Sequence, residues 1–446
     1  MSIYNIMDFG AVSDGDVVTV NIQNAIDEAY RNNGGKVIVP AGEFLTGSLR
    51  LRDNIELHLL SGAVLKFSDE QSDYPVVKSR YEGNYQEVYA SCLYAEDARN
   101  ISITGFGKLN GNGQKWWKIS RNAAGKLIYP RPKLISLDAC EHITIKDITL
   151  IDSPSWTVHP IRCHNMTVDN ISIKNPADSP NTDGINPESC KNIRISNCHI
   201  DVGDDCIAIK AGTEETEERI SCENITIINC TMVHGHGGVV FGSEMSGDIR
   251  NVTISNCVFQ NTDRGIRLKT RRGRGGVVED IHVNNIVMDN VICPFIINLY
   301  YYCGPLGKEK YVWDKNPYPI TVETPSFKRL HFSNITARNV QAAAGFIYGL
   351  AELYASDITF NHINISLAEN ATPSRPAMMS EIQDMTNRGF HVGFAKDILF
   401  NRVTIENHEG PAFYLEDTER IEVVHCKSLQ TKKQEKLVEE GKSQKI

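Results

Sequence analysis

A single short phrase recurs eleven times along the chain: a polar residue followed by apolar residues that alternate around an asparagine or another polar residue. Alternation with a period of two, rich in Ile, Val and Thr, is typical of short β-strands. Recurrence at intervals of about 23 to 49 residues indicates stacked coils rather than a β-sandwich. The copies begin at Asn100, His142, Asn165, Asn192, Asn224, Asn251, Asp280, Arg329, Asp357, Asp397 and Arg420.

This repeat predicts an all-β fold, a right-handed parallel β-helix or solenoid. Each coil would hold about three short strands, and stacking coils about 4.8 Å apart would bury one continuous core. A leucine-rich repeat is the competing solenoid, but its LxxLxL pattern is absent. Cysteines and asparagines recur at fixed positions of successive repeats, and we expect them to form ladders inside the coils, with cysteine as a small apolar filler.

The segment that precedes the repeats predicts a capping element. Residues from Ile22 to Asn32 have a helical period and end at a glycine pair, so a helix would cover the open N-terminal end of the solenoid. We find no linker that would split the chain, and we therefore predict a single domain over residues 1–430. Residues 431–446 form a charged C-terminal tail, predicted to be helical or frayed.

Composition excludes several classes of function. The 446 residues carry a net charge of −9 and a pI near 5.8, which argues against a nucleic-acid partner. No apolar run is long enough to span a membrane, and no CxxC pair suggests a zinc site. The first residues lack the features of a signal peptide, so we expect a cytoplasmic location, reduced cysteines and no membrane partner.

Four consecutive coils carry unusual polar motifs. These motifs are NTDGI from Asn181, GDDCIAIK from Gly203, HGHGG from His234 and RGIRLKT from Arg264. Their spacing is close to one coil, so their side chains are predicted to form a column on one face. The column would contain Asp183, Asp204, Asp205, His236, Arg267 and Lys269.

Three neighbouring carboxylates are costly for a fold, because like charges raise one another's pKa. Such a site is useful when one acid stays protonated to donate to a leaving oxygen while another activates water. Paired carboxyls of this kind hydrolyse glycosides, and about 6.5–9.5 Å between them leaves room for the water of an inverting reaction. An isolated Asp would more simply cap a turn. Strict alternation would send Asp204 and Asp205 to opposite faces, so the chain must turn near Gly203.

The remaining motif residues suit an acidic sugar. Arg267 and Lys269 alternate around Leu268, so both would point outward and could grip a carboxylate. A nucleic-acid patch is the alternative, because Arg271, Arg272 and Arg274 follow directly. His236 lies among glycines that let a substrate approach the backbone, and it is predicted to bond an Asp or the sugar.

Together, the motifs NTDGI, GDDCIAIK, HGHGG and GIRLKT resemble the signature segments of glycoside hydrolase family 28, the polygalacturonases and their relatives. The opening DFGAVSDG and the segment GGKVIVPAGEFLTG are also similar to that family. The resemblance implies an inverting hydrolysis of α-1,4-linked galacturonic acid inside a parallel β-helix, with no metal and no cofactor. Two glycines after His236 make the chain most similar to bacterial exo-acting members.

The resemblance also implies roles for individual residues. Asp204 would be the general acid, Asp183 and Asp205 would activate the water, and His236 would support the acid and bind substrate. One tyrosine of the run Tyr300, Tyr301 and Tyr302 is expected in the groove, and we take Tyr302 as its representative. The expected substrate-binding residues are Asn181, Gly237, Arg267, Lys269 and that tyrosine.

We expect exo action on pectin-derived oligogalacturonides. The long intervals beginning at Ile101, Ile281 and Ile358 leave room for loops that could close one end of a groove. Trp116 and Trp117 in the first interval could stack on a sugar or pack in the core. The alternatives are a rhamnogalacturonan-directed enzyme of the same family, a β-helix pectate lyase with Ca²⁺ on the three Asp residues, and a non-catalytic polysaccharide-binding β-helix.

Overall fold

The computed structural model describes residues 2–122, 127–304, 306–429 and 437–441. The chain divides into two compact units. The first unit comprises residues 1–208 and 222–226, and the second comprises 209–221 and 227–446. Coils of short parallel strands build each unit, and the predicted fold class, a right-handed parallel β-helix, is confirmed. The prediction of a single domain stays a prediction.

The helices are few. Among the described residues they are Thr19–Arg31, Gln114–Arg121 and Lys310–Trp313, with 3₁₀ turns at Ile6–Phe9 and Gln71–Asp73. The first helix confirms the predicted N-terminal helix. Its buried side chains fall at a spacing of three and four residues, so one apolar stripe faces the first coils. That stripe consists of Ile22, Ala25, Ile26 and Ala29.

In the first unit, parallel strands stack residue over residue. Ile101 pairs with Ile143, Ile143 with Met166 and Met166 with Ile193, so apolar side chains form a continuous column. One sheet contains Ile3–Asn5, Gly35–Val39, Gly42–Thr46, Ile55–Leu59, Ala63–Phe67, Arg99–Thr104, Lys108–Asn110, Glu141–Lys146, Thr149–Ile151, His164–Asp169, Ser172–Lys174, Lys191–Ser196 and His199–Val202. A second sheet contains Leu49–Arg50, Leu93–Glu96, Ile135–Asp138 and Val158–Ile161.

The second unit repeats this plan with longer strands. One sheet contains Thr231–His234, Ile249–Gln260, Val277–Asp289, Ser326–Val340, Ala355–Leu367, Ala395–Glu406, Glu419–Val424 and Lys427–Leu429. The other contains Val239–Gly242, Arg264–Lys269, Cys293–Asn298, Ala343–Tyr348, Arg388–Gly393, Glu409–Glu416 and Val438–Gly441. Two further strands, Ile207–Ile209 and Cys222–Ile228, contain residues of both units.

The repeated cysteines lie inside the coils, as predicted. The backbone N–H of Cys163 donates to the sulfur of Cys190, and that of Cys190 donates to the sulfur of Cys222. All twelve cysteines are free thiols, and ten are buried. The repeated asparagines differ from the prediction, because they are exposed near the starts of strands such as Lys191–Ser196 and Cys222–Ile228. Asn192 and Asn224 have positive φ angles, a conformation that asparagine tolerates, and their side-chain amides form a hydrogen-bonded ladder on the surface.

An antiparallel hairpin in the first unit departs from the repeat. Its strands are Val76–Tyr81 and Asn84–Tyr89. Arg80 on this hairpin is 1% exposed, and its guanidinium donates to Glu188 and to the hydroxyl of Ser189. Glu188 also lies 2.9 Å from Nε2 of buried His159. A buried ionic contact therefore anchors the hairpin to the coils of its own unit.

The end of the chain differs from the predicted helical or frayed tail. Val438–Gly441 forms a strand that pairs in parallel with Phe413–Glu416 and so extends the second sheet of the second unit. The pairing supplies hydrogen-bond partners for the edge of that sheet. The other residues of the predicted tail, 431–436 and 442–446, lie outside the described residues. No helix in the described part of the chain is long and apolar enough to cross a membrane.

Candidate active site

Three carboxylates converge in the first unit. Asp183, Asp204 and Asp205 each place one oxygen so that the three atoms lie within 4.8 Å of one another. Asp183 is 4% exposed and Asp205 2% exposed, whereas Asp204 is partly exposed. We call these three residues the carboxylate cluster. The structure thus brings together the acids that the spacing of about one coil predicted.

Backbone contacts between adjacent coils hold this cluster. The N–H of Gly184 donates to the carbonyl of Asp205, and the N–H of Ile185 donates to that of Cys206. A Cβ atom at position 184 would come within 2.4 Å of the Cys206 carbonyl oxygen, so only glycine allows this approach. The side-chain amide of Asn186 donates to Asp183 over 2.9 Å and orients that carboxylate.

The chain turns where the two consecutive Asp residues require it. Residues 203–206 lie between the strands His199–Val202 and Ile207–Ile209 and belong to neither, so strict alternation does not apply to Asp204 and Asp205. Gly203 packs against the loop that precedes Asp183, where a Cβ would come within 2.3 Å of the Ser179 carbonyl oxygen. The predicted turn near Gly203 is confirmed, and it lets both carboxylates reach one side.

An arginine that the sequence analysis overlooked holds the loop in front of Asp183. Arg131 is 6% exposed, and it donates to the carbonyls of Pro154 and Pro180 and to the side-chain oxygen of Asn181. Asn181 itself is exposed and adopts a positive φ angle. Asn181 therefore belongs to the turn that carries Asp183, and Arg131 is a positioning residue for that turn.

In the second unit, His236 pairs with an acid that the motif analysis missed. Nδ1 of His236 lies 2.8 Å from Oδ2 of Asp263, and the imidazole is about half exposed. Burial raises the pKa of Asp263, but the hydrogen bond from His236 and the charges of Arg264 and Arg267 outweigh it and hold that pKa below its usual value. Asp263 directly precedes RGIRLKT, and this position was the available signal.

Arg267 and Lys269 share one tyrosine. The guanidinium carbon of Arg267 lies 5.5 Å from the ring centroid of Tyr301, and Nζ of Lys269 lies 5.2 Å from it. Both cations are more than nine-tenths buried. We call Arg267, Lys269 and Tyr301 the basic cluster. Of the other two tyrosines in the run, Tyr300 is fully buried and Tyr302 stacks on Tyr301 with ring centroids 6.4 Å apart.

The glycines beside His236 serve packing as well as access. Gly237 is buried, and a Cβ at Gly238 would come within 2.8 Å of the Phe259 ring. The neighbouring Gly235 adopts a positive φ angle of 78°. Larger residues at these positions would displace the strand Val239–Gly242, which pairs with the strand that carries the basic cluster.

A segment from the third long interval crosses the basic cluster. Residues 374–385, which we call the strap, close on themselves through backbone hydrogen bonds between Ser374 and Met385. Nη2 of Arg267 donates to the sulfur of Met378. The backbone of Met379 forms an isolated antiparallel β-bridge with Tyr301. The strap therefore covers part of the surface through which a ligand would reach Arg267.

The arginines after the motif have structural roles. Arg271 and Arg274 lie beside Glu214, and Arg272 forms a bidentate pair with Glu352. All three arginines are buried, so they do not present the basic patch that the nucleic-acid alternative requires.

The two tryptophans of the first long interval also have a structural role. Trp116 and Trp117 are both buried, and the indole of Trp117 donates to the carbonyl of Ser153, so they pack in the core.

The carboxylate cluster has the donor set that a hard cation would use. Oxygen ligands from Asp are typical of Ca²⁺ and Mg²⁺ sites, although Ca²⁺ takes six to eight of them. Three side chains would supply half of that number or less, and the backbone N–H of Asp205 already donates to Oδ1 of Asp204. The same residues serve acid and base chemistry without a metal, and a chelator distinguishes the two uses.

Comparison with known proteins gives consistent matches. The family model described as glycosyl hydrolases family 28 matches residues 34–377. A probable polygalacturonase of Vitis vinifera is 36% identical over 380 residues, which cover 82% of this chain and 75% of that protein. An endo-polygalacturonase of Pectobacterium carotovorum subsp. carotovorum is 31% identical over 306 residues, 65% of this chain and 73% of that protein. The crystal structure of a hyperthermoactive exopolygalacturonase from Thermotoga maritima superposes with a TM-score of 0.73 at 30% identity, covering 90% of this chain and 92% of that one.

Proposed function

This chain belongs to glycosyl hydrolase family 28 and is a galacturonan-hydrolysing enzyme, and from that premise we propose that it removes galacturonate from the ends of pectin-derived oligogalacturonides with inversion. The observation that carries the proposal is the carboxylate cluster, whose three acids come from two adjacent coils. Related proteins include both endo- and exo-acting enzymes, so the mode of action rests on this chain's own residues.

We assign the chemistry by exposure and contact. Asp204 is the most exposed acid of the cluster, so it is the one that reaches the glycosidic oxygen and protonates it. Asp183 and Asp205 are buried side by side and hold the attacking water as general bases. The hydrogen bond from the backbone N–H of Asp205 to Oδ1 orients the Asp204 carboxylate for this role.

The stereochemistry needs its own test. The nearest oxygens of the cluster lie within 4.8 Å, closer than the roughly 6.5–9.5 Å usual between the two carboxyls of an inverting enzyme. We propose that Asp183 and Asp205 hold one water between them. The wide separation that is usual between one general acid and one general base is then not required. Retention is the second candidate, because about 5–5.5 Å is typical of retaining enzymes. Proton NMR of the first product separates the two, since inversion of an α-linkage yields β-galacturonate.

Substrate recognition is assigned to the second unit. Arg267 and Lys269 would bind the galacturonate carboxylate, for which a guanidinium and an ammonium are suitable partners. Their shared contact with Tyr301 holds both cations in place without neutralising them. His236, oriented by Asp263, would donate to the sugar from its other ring nitrogen.

Exo action is supported by the hairpin of the first unit. Tyr81 near the hairpin turn stacks on Trp156 at 6.0 Å, and Trp156 precedes the residue whose N–H donates to the carbonyl of Asp183. Burial raises the pKa of Tyr81 to about 12, with the charge of Asp183 among the contributing causes. The hairpin therefore stands within electrostatic reach of the carboxylate cluster, where it would limit the length of sugar chain that can bind.

Product analysis tests the proposal. Wild-type enzyme is incubated with trigalacturonate and with polygalacturonate, with and without a chelator, while products are separated by chromatography and ultraviolet absorbance is followed. We expect saturated monogalacturonate from the outset and no effect of the chelator. Longer oligomers from polygalacturonate would contradict exo action, and an unsaturated product lost with chelator would indicate a lyase.

Variants of the acids complete the test. Asp204→Asn should lower kcat by about 10²–10⁴-fold. Asp178→Asn changes an exposed Asp of the same unit and is the matched control, with unchanged kcat. Binding of oligogalacturonide by wild type without any turnover would favour a non-catalytic polysaccharide-binding protein. Turnover of rhamnogalacturonan fragments alone would favour the rhamnogalacturonan-directed alternative.

A further inference from the structure

A cavity outside the carboxylate and basic clusters opens in the second unit. Its volume is about 340 Å³, within the range of about 300–1,000 Å³ that is usual for small-molecule sites. Its walls are the end of the strap and the strands Arg388–Gly393 and Glu409–Glu416. The side chains that matter for recognition are Asp384, Arg388, His391, Glu409, Tyr414 and Glu416.

Two rings form the floor of this cavity. The centroids of His391 and Tyr414 lie 5.0 Å apart, and His391 also stacks on Phe346 of the preceding coil at 5.4 Å. Both rings are only partly buried. Aromatic faces of this kind pack against the C–H faces of a pyranose ring, and they hold their position at low entropic cost.

Hydrogen-bonding groups lie beside the rings in the lining of the cavity. The carboxylate of Glu416 lies 3.5 Å from Nε2 of His391 and accepts from the hydroxyl of Tyr348 over 3.4 Å. Asp384 lies 3.5 Å from Arg375 of the strap. Carboxylates that already have a donor keep further lone pairs, and these accept hydrogen bonds from sugar hydroxyls.

The charge of the lining selects the type of sugar. Three carboxylates and one guanidinium face the cavity, so a second uronate would meet net repulsion. A metal ion is also disfavoured, because the only described group of three converging metal-ligand side chains is the carboxylate cluster of the first unit. A neutral pyranose fits both the rings and the acceptors.

The cavity shares a sheet face with the basic cluster. In register, Arg267 pairs with Ile296, Ile296 with Phe346, and Phe346 with His391. Three steps of about 4.8 Å place His391 about 14 Å from Arg267 along the stack of coils. A sugar chain held at the basic cluster could therefore present another unit to the cavity.

We propose that this cavity is a binding site for a neutral pyranose, recognised by the rings of His391 and Tyr414 and by the acceptor oxygens of Glu416. The proposal goes beyond the hydrolytic function and does not require it. The neutral sugar could arrive as a free glycoside or as a neutral residue of a branched galacturonide, since both present the same ring and hydroxyls.

Two probes that differ only at C6 test the charge argument. Saturation-transfer NMR is recorded with methyl α-galactopyranoside and with methyl α-galacturonate on wild type, Tyr414→Ala and Tyr414→Phe. We expect the galactoside to bind wild type, to bind Tyr414→Ala about tenfold more weakly and to bind Tyr414→Phe almost unchanged. Galacturonate binding should be the same in all three proteins. No galactoside signal, a signal insensitive to Tyr414→Ala, or galacturonate binding that depends on Tyr414 would overturn the proposal.

Further measurements guard against misfolding and distinguish the sources. Trigalacturonate hydrolysis should be unchanged in Tyr414→Ala, because Tyr414 lies outside both clusters, and a cooperative thermal melt shows that the variant is folded. If this variant does not fold, Glu416→Gln replaces it, with the same expected loss of galactoside binding. A branched galacturonide bearing galactose should then show a lower KM than the unbranched one in wild type only. Galactoside binding without this KM effect would identify the free glycoside as the ligand.

Discussion

His236 and Asp263 form a hydrogen-bonded pair in the second unit, with Nδ1 of the imidazole 2.8 Å from Oδ2 of the carboxylate. The carboxylate fixes the proton on Nδ1 and leaves Nε2 directed away from the pair. Because Asp263 is held ionised by His236 and two arginines, it is suited to support a protonated imidazole. Neither residue's partner follows from the repeat alone.

Replacing Asp263 should impair catalysis without preventing binding. In Asp263→Asn the amide stabilises a protonated imidazole less than the carboxylate does. We expect kcat to fall about 10- to 100-fold, and the limb of the pH–rate profile that reports His236 protonation to move to lower pH. Steady-state kinetics on trigalacturonate between pH 4 and pH 8 would measure both effects, in steps of about half a unit. Asp289→Asn, at an exposed Asp of the same unit, is the control, and an identical profile for the two variants would contradict the assignment.

Substitutions of Tyr301 and Tyr302 provide a test variant and a matched control. Tyr301 lies against both Arg267 and Lys269, whereas Tyr302 stacks on the Tyr301 ring. A cation–π contact contributes about 0.5–2 kcal/mol, so Tyr301→Ala should raise KM about 3- to 30-fold. Tyr302→Ala should change KM by less than about threefold, since the ring contact described for Tyr302 is its stack on Tyr301. A larger effect at Tyr302 would restore it as the groove tyrosine.

The hairpin of the first unit should determine product length. Arg80 anchors it through Glu188, and removal of one partner of a buried ion pair costs about 3–5 kcal/mol. Arg80→Ala should therefore loosen the hairpin, seen as faster amide hydrogen exchange at Val76–Tyr81, and should yield longer oligogalacturonates from polygalacturonate. Lys78→Ala, an exposed residue of the same strand, should leave the products unchanged. Faster exchange with unaltered products would separate the hairpin from exo action.

Glu244 should make the protein sensitive to acid. Burial raises the pKa of Glu244, but Lys210 at 2.9 Å and the charge of Arg274 lower it to about 2. A carboxyl with a lowered folded-state pKa stabilises the protein above its unfolded pKa near 4.5, and this stabilisation is lost as pH falls from 4.5 to about 2.

The variant Glu244→Gln isolates that contribution. It should lower the free energy of unfolding by about 3–5 kcal/mol at neutral pH, because it removes one partner of a buried ion pair. The difference from wild type should shrink below pH 4.5 in denaturant titrations. Glu43→Gln, at an exposed ion pair with Lys66, should change stability by less than about 1 kcal/mol at any pH. A difference independent of pH would exclude the ion pair as its source.

The fold could be predicted from the sequence because its information is periodic. The alternating repeat fixes the strand type, and the ladder of Cys163 and Cys190 follows from their common position in successive repeats. The prediction that the repeated asparagines lie inside the coils was wrong. Their backbone φ angles are positive, which favours a short polar side chain at the surface, and the sequence pattern does not distinguish an interior ladder from an exposed one.

The candidate site also combines contacts that the sequence predicted with contacts that it did not. Motif spacing of about one coil predicted that Asp183, Asp204 and Asp205 would meet, and the structure brings their oxygens within 4.8 Å. Motif spacing could not predict that Arg131 holds the turn at Asn181, or that the strap contacts Arg267. Those partners lie about 50 and 111 residues away in sequence, at distances unrelated to the repeat.

The sequence by itself determined the strand repeat, the solenoid that it builds and the convergence of Asp183, Asp204 and Asp205, because each coil repeats one local pattern and places equal positions side by side. Only the tertiary structure decided which tyrosine meets the cations, which acid orients His236 and which arginines are buried in ion pairs. The tertiary structure also decided where the two insertions, the hairpin and the strap, make their contacts. Insertions have no periodicity, and their contacts are set by packing and charge pairing across long stretches of chain.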